Sequence, residues 1–153
     1  SVRFSVEAVD RVVAASGAHP FLARQLCSIV YKARRGRTDA VAPEEVEAAA
    51  ARFVSNPSHN TYLSGLWDEL GAANIWGAER ATVTHTLLRD LAREDGPVPV
   101  ATLLAKDGSL AREEAMEELL NRHVLREIPE GHERTVTLTF DLFRRWIRRS
   151  QRA

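Results

Sequence analysis

Most residue patterns that would announce a chemistry are missing from this chain. Cys27 is the one cysteine in 153 residues, so neither an internal disulfide nor a CxxC metal or redox pair can form. The five histidines, His19, His59, His85, His123 and His132, make no HxxxH pair. No GxxxxGK[ST] phosphate loop and no GxSxG nucleophile turn occurs, so no catalytic residue is assigned and hydrolysis of nucleotide by the chain alone is not expected. No apolar run approaches the roughly 18 residues that cross a bilayer, and the opening SVRFSVEAV lacks the pattern of a secretory leader. An excess of charge is missing as well. The chain has 21 basic and 21 acidic residues, split 8 and 8 over residues 1–76 and 13 and 13 over residues 77–153. A dedicated nucleic-acid domain usually carries a basic excess.

What is present is ordinary globular composition, 44% hydrophobic and 27% charged, in a length that allows one large domain or two small ones. The first half reads as helices. Ser5 suits the cap of a helix reaching Ser16, with Val6, Val9, Val12 and Val13 as its apolar stripe and Gly17 as its stop. A second helix starts at Pro20 and carries Phe21, Leu22, Leu26, Ile29, Val30 and Tyr31; Cys27 on it reads as a buried thiol in a reducing cytoplasm. The polar stretch Arg34–Asp39 ends it. APEEVEAAAARFV opens a third helix with proline in the first turn and two glutamates at the positive end of its dipole. Tyr62, Leu63, Leu66, Trp67 and Leu70 mark a fourth. The turn-prone GAANIWGA, residues 71–78, sets the expected boundary between domains 1–76 and 77–153, with Ile75 and Trp76 packing there.

The second half changes rhythm. Helices are expected over Glu79–Arg93, Val100–Lys106 and Leu110–Arg122, then a strand at Val124–Ile128, a turn at Pro129–Glu133, an alternating strand at Thr135–Phe140 and a helix at Asp141–Ser150. Three helices followed by a hairpin is the order of a winged helix. The expected fold class is therefore mainly α: four helices, then a winged-helix domain with a small β-hairpin.

When such domains bind DNA, the third helix and the hairpin enter the grooves. Here that helix, SLAREEAMEELLNRHV, carries Glu113, Glu114, Glu117 and Glu118, and the wing PEGHER adds Glu130 and Glu133 against Arg134. Carboxylates facing phosphates repel them, so DNA is an unlikely partner for this surface and protein packing is the better reading. The basic cluster is DLFRRWIRRSQR, with Leu142, Phe143, Trp146 and Ile147 on one side and Arg144, Arg145, Arg148 and Arg149 around the other. Two readings stand for this basic patch: a docked terminal helix with solvated arginines, or a site for an acidic partner or nucleic acid.

SGAHPFLARQLC, PEEVEAAAARF, LWDEL, the helix–hairpin order and a closing LFRRWIRR together resemble the region after the P-loop core in STAND-class ATPases, signalling relatives of AAA+ proteins. The resemblance covers nearly the whole chain and is carried most by the Gly-x-x-Pro stretch. It implies a helical lid followed by a winged helix in a cytoplasmic, bacterial-type nucleotide switch. By resemblance, Gly17, His19 and Pro20 form the family's nucleotide-contacting turn, with Pro20 on the adenine and His19 beside it. Bacterial relatives commonly read Gly-Gly-His-Pro, so Ala18 departs at the second glycine. The other reading of GAHP is a plain turn between helices.

The resemblance further implies no catalysis and no cofactor or metal in the piece itself, ATP or ADP in the parent protein, and an upstream P-loop core in the same polypeptide as first partner. Protein partners or self-association follow on activation, with no membrane role. The competing expectation is a winged-helix DNA-binding transcriptional regulator. A third is an adaptor that recognises a protein through Trp76 or the acidic helix.

Overall fold

The structure is a computed structural model that describes residues 2–105 and 110–151. It is mainly helical, with one small three-stranded antiparallel sheet. The chain forms two compact units: residues 1–61 with 140–142, and residues 62–139 with 143–153.

The first unit contains α1 (Val6–Ser16), α2 (Pro20–Arg34) and α3 (Pro43–Ser55). The Ser5 hydroxyl accepts the Ala8 N–H at 3.1 Å, the N-cap bond that the sequence implies. Pro20 and Pro43 occupy first-turn positions, where a missing N–H costs nothing. The Ala42 N–H donates to the Glu45 carboxylate at 2.8 Å, one half of a capping box at the start of α3. Leu22, Leu26, Val46, Ala50 and Phe53 form the centre of the core. A single parallel bridge, Phe4 to Val41, ties the start of the chain to the segment before α3.

Of the valine stripe expected on α1, only Val12 is buried, and the other three valines point outward. Val6, Val9 and Val13 are 74%, 47% and 49% exposed, and Ala8, Val12 and Ala15 face the core instead. The two stripes lie side by side on the helix. Alanine at the contact lets α1 approach closely, so the small-residue face is the one buried. On α2, Phe21 and Tyr31 are likewise exposed, and Cys27 is half-buried, with burial pushing its thiol pKa up.

The second unit begins with α4 (Thr61–Leu70), the short α5 (Ala73–Trp76) and α6 (Ala78–Ala92). The division between units therefore falls ahead of the 76/77 boundary, and the fourth helix packs with the second half. Trp67 explains why. Its ring stacks on His85 of α6 at 3.8 Å between centroids, Arg89 lies over it at 5.4 Å, and Trp146 meets it at 6.0 Å. GAANIWGA holds the one-turn α5, and of the two residues expected to pack there Ile75 does not. Ile75 is 59% exposed there, while the Trp76 indole N–H donates to the Glu69 carbonyl and Arg122 covers its ring.

Next come β1 (Val98–Pro99), α7 (Val100–Ala105), α8 (Leu110–Asn121), β2 (Leu125–Glu130), β3 (Glu133–Leu138) and α9 (Asp141–Ser150). Lys106, expected to end α7, and Ser109, quoted at the head of α8, lie outside the described residues, as does the Glu130 side chain in the wing. β1 was not expected from the sequence. It is two residues long and contains a proline, and it pairs through Val98 with Val136 at the sheet edge, in the order β1–β3–β2. As the central strand, β3 is covered on both faces. Thr135 and Thr137, read as its polar side, are buried beside Val136 and Leu138. The Thr135 hydroxyl donates to the Ile128 carbonyl at 2.7 Å.

Candidate functional site

The turn between α1 and α2 is built from two consecutive left-handed residues. Gly17 closes α1 at φ 59°, and Ala18 repeats that φ, which an L side chain rarely adopts. The Ala18 N–H reaches back to the Val13 carbonyl at 3.2 Å, and the His19 N–H donates to the Ser16 carbonyl at 3.0 Å. This double reversal lets α2 start three residues after α1 ends. His19 is then extended at the N-cap of α2, its carbonyl accepting the Ala23 N–H at 2.9 Å.

Within the turn, Gly17 and His19 are half-buried, whereas Ala18 and Pro20 are exposed. The His19 ring meets Phe140 edge-on, with centroids 5.9 Å apart. Gly17, His19 and Pro20 thus share one turn, with the proline ring outward and the imidazole against an aromatic. Phe21, the next residue, and Val13, hydrogen-bonded to the turn, extend the exposed apolar surface.

The arginines of α9 do not act as one patch. Arg144 is 8% exposed and donates to the Thr137 hydroxyl at 2.9 Å, on the covered face of β3. Arg148 donates to the Ala92 carbonyl at the end of α6 and pairs with Asp95 at 2.7 Å. That bond holds the Asp95 carboxyl below its ordinary pKa. Arg145 is half-buried, and Arg149 is exposed. The ring of solvated arginines drawn from the sequence is therefore corrected. Two of the four serve as structural donors to neighbouring elements, because the apolar face of α9 sinks far enough to bring its flanks into contact.

The acidic surface of α8 is also partly committed. Glu114 pairs with Arg80 at 2.5 Å, and Glu117 pairs with Arg134 at 3.2 Å. Arg134, the cation of the wing, also pairs with Glu127, and that hydrogen bond chiefly raises its pKa. Arg112, in the first turn of α8, is 2% exposed and buried against Asp90 at 2.6 Å and the Leu103 carbonyl at 2.7 Å.

No family model, curated protein or solved structure matches the chain. Among the described residues, no group of three or more His, Cys, Asp or Glu side chains is placed to hold a metal. Among them, too, no helix is long and apolar enough to cross a membrane.

One concave feature escaped the sequence reading. Between the last turns of α2 and α3 lies a cleft of about 520 Å³, lined by Lys32, Arg35, Arg52 and His59. Arg34–Asp39 had been read as a polar loop, and Arg52 as one residue of an alanine-rich helix. Only the packing of α2 on α3 brings these groups to one place.

Proposed function

We propose that this chain is the regulatory lid and winged-helix portion of a STAND-type nucleotide-switch ATPase, a non-catalytic piece that senses nucleotide state and packs against protein. The observation that carries the reading is the GAHP turn. Its proline is exposed at the first turn of α2, the position from which a rigid ring adds apolar contact to a planar base at little entropic cost. The exposed residues around it, Val13, Ala18 and Phe21, provide an apolar surface for a neighbouring core. Ala18 standing in a left-handed conformation fits a position where glycine is the usual residue.

The winged-helix reading is supported by order and pairing. α6, β1, α7, α8, β2 and β3 follow one another, and the early strand β1 pairs with the last strand of the hairpin. In the proposed switch, the turn contacts ADP or ATP held by a P-loop core supplied by the same polypeptide. The second unit packs differently in the two states, since switching requires contacts that differ between them. Self-association or protein partners would then follow in one state only.

Calorimetry on the 153-residue chain tests the division of labour. ATP and ADP are expected to bind no tighter than about micromolar, because the phosphate-binding loop is elsewhere. Submicromolar affinity would contradict the proposal. In the polypeptide that includes the core, Pro20→Ala is expected to weaken ADP binding about fivefold, the equivalent of one small apolar contact. An unchanged affinity would remove the turn from the site, and a parent polypeptide without a P-loop would remove the function.

A further inference from the structure

The geometry points to a binding site for an oligophosphate anion in the cleft between α2 and α3, separate from the GAHP turn and independent of the nucleotide-switch reading. Residues 32 to 35 lie a dozen or more positions along α2 from Pro20, roughly 20 Å at the helical rise, so the two places cannot share one contact.

Around the α2–α3 loop the cations divide into two groups. Arg34 is bound by Asp39 and Glu45, and Arg37 by the same two carboxylates. The Arg37 hydrogen bond holds the Asp39 carboxyl below its ordinary pKa. Lys32, Arg35 and Arg52 have no such partner among the described residues, and these three line the cleft. No carboxylate lines it with them. In a chain of zero net charge, three cations gathered where no acid follows is a local departure.

The polar lining of the cleft consists largely of donors. The Asn56 carboxamide oxygen is taken by the Ser58 N–H at 2.9 Å and the Ser58 hydroxyl at 2.8 Å. Its NH2 group is left to donate. The Ser55 hydroxyl leans on the Arg52 carbonyl at 3.3 Å and can accept or reorient. Ile29 and Ala33 give the apolar part of the wall. Guanidinium and ammonium groups with an amide donor, and no competing acid, suit a ligand dense in anionic oxygens.

Arg35 also stands apart in its backbone. Its φ of 45° and ψ of 56° put an arginine in the left-handed position that closes a helix, where glycine is usual, although Gly36 follows immediately. The favourable field at two helix C-termini accounts for basic residues in those turns. It does not account for an arginine at the left-handed position, and strained backbone is commonest where a side chain is needed in one place.

Size and charge select the ligand class. Three exposed cations around one cleft match a di- or triphosphate better than a monophosphate, and about 520 Å³ exceeds what a single phosphate fills. A duplex would instead be met by a convex basic stripe, and the partnered Arg34 and Arg37 interrupt any such extension.

The test is titration of the 153-residue chain with sodium tripolyphosphate at low ionic strength, followed by calorimetry. Saturable one-to-one binding is expected, with affinity at least about tenfold lower in the Arg35→Gln/Arg52→Gln variant and unchanged in Arg126→Gln, an exposed arginine of β2. Arg35→Gly separates binding from folding: it should raise the unfolding midpoint by easing the backbone while lowering affinity. ATP and AMP form the second arm. ATP binding that shows the same variant sensitivity, with AMP much weaker, would identify a nucleotide's phosphate tail as a source. Tripolyphosphate alone would identify the inorganic chain. Absence of saturable binding, equal losses in Arg126→Gln, or a preference for duplex DNA over tripolyphosphate would overturn the assignment.

Discussion

Among the described residues, three other than glycine hold a positive φ: Ala18 at 59°, Arg35 at 45° and His123 at 60°. Each closes or follows a helix. His123 is the clearest case, because its N–H reaches the Leu120 carbonyl and the Val124 N–H reaches Leu119, the paired bonds of a Schellman ending. At Ala18 the left-handed conformation costs a β-carbon about 1 kcal/mol or more. Ala18→Gly is therefore expected to stabilise the first unit by about 0.5–1 kcal/mol, the strain relieved less the entropy glycine adds to the unfolded chain. Urea unfolding would measure it, and a destabilised variant would mean that the Ala18 methyl makes a contact worth more than the strain. Gly17 could be read from the sequence as a helix stop. That the next residue would repeat its conformation could not, because alanine gives no local signal for it.

At the scale of elements, boundaries were legible wherever caps and prolines speak: Ser5, Pro20, Pro43 and Asp141 each open a helix as expected. Facing was harder to read. The valines of α1 and the threonines of β3 are placed by what packs against them, and a single helix or strand does not contain that information. The Arg112–Asp90 pair was hidden for the same reason, since 22 residues separate partners that meet only when α8 packs on α6. Removing Arg112 takes from the largely buried Asp90 its 2.6 Å partner and leaves the longer 3.5 Å contact with the exposed Arg93, so Arg112→Ala is expected to destabilise the second unit by about 2–4 kcal/mol, and Arg112→Met by much less. Equal losses in the two variants would count against the ion pair as the cause.

α4 and α6 carry a second element-scale device. The His85 ring stacks on Trp67, its Nε2 lies 2.8 Å from the Trp67 carbonyl, and a β-carbon at Gly71 would stand 2.0 Å from it. Burial chiefly lowers the His85 pKa from its ordinary 6.5, against a raising contribution from the Trp67 carbonyl; Arg89 lowers it and Asp68 raises it. The unfolded chain therefore takes up the proton more readily than the folded one, and stability falls as pH drops below about 6.5. His85→Gln should flatten that fall, read by tryptophan fluorescence during urea unfolding at pH 5 and 7.5. An equal slope in the variant would assign the effect elsewhere.

For the whole molecule, balanced charge conceals unequal commitments. In the second unit several acids and bases near α8, the hairpin and α9 are spent on one another: Arg80 with Glu114, Arg122 with Glu69, Arg134 with Glu117 and Glu127, Arg148 with Asp95. A duplex approaching α8 and the β2–β3 hairpin would have to break these pairs before gaining phosphate contacts, and would then face the released carboxylates. The α9 arginines offer little relief, with Arg144 buried on Thr137 and Arg148 held at Ala92. Duplex affinity is therefore expected to be weak, with a log–log salt slope of about −2 or shallower, against roughly −6 or steeper for a domain that neutralises many phosphates. Fluorescence anisotropy between 50 and 200 mM salt, ranges over which such slopes separate clearly, would decide it. A steep slope that falls on Arg149→Gln would favour the transcriptional regulator over the nucleotide switch, since Arg149 is exposed and its loss disturbs none of the pairs above.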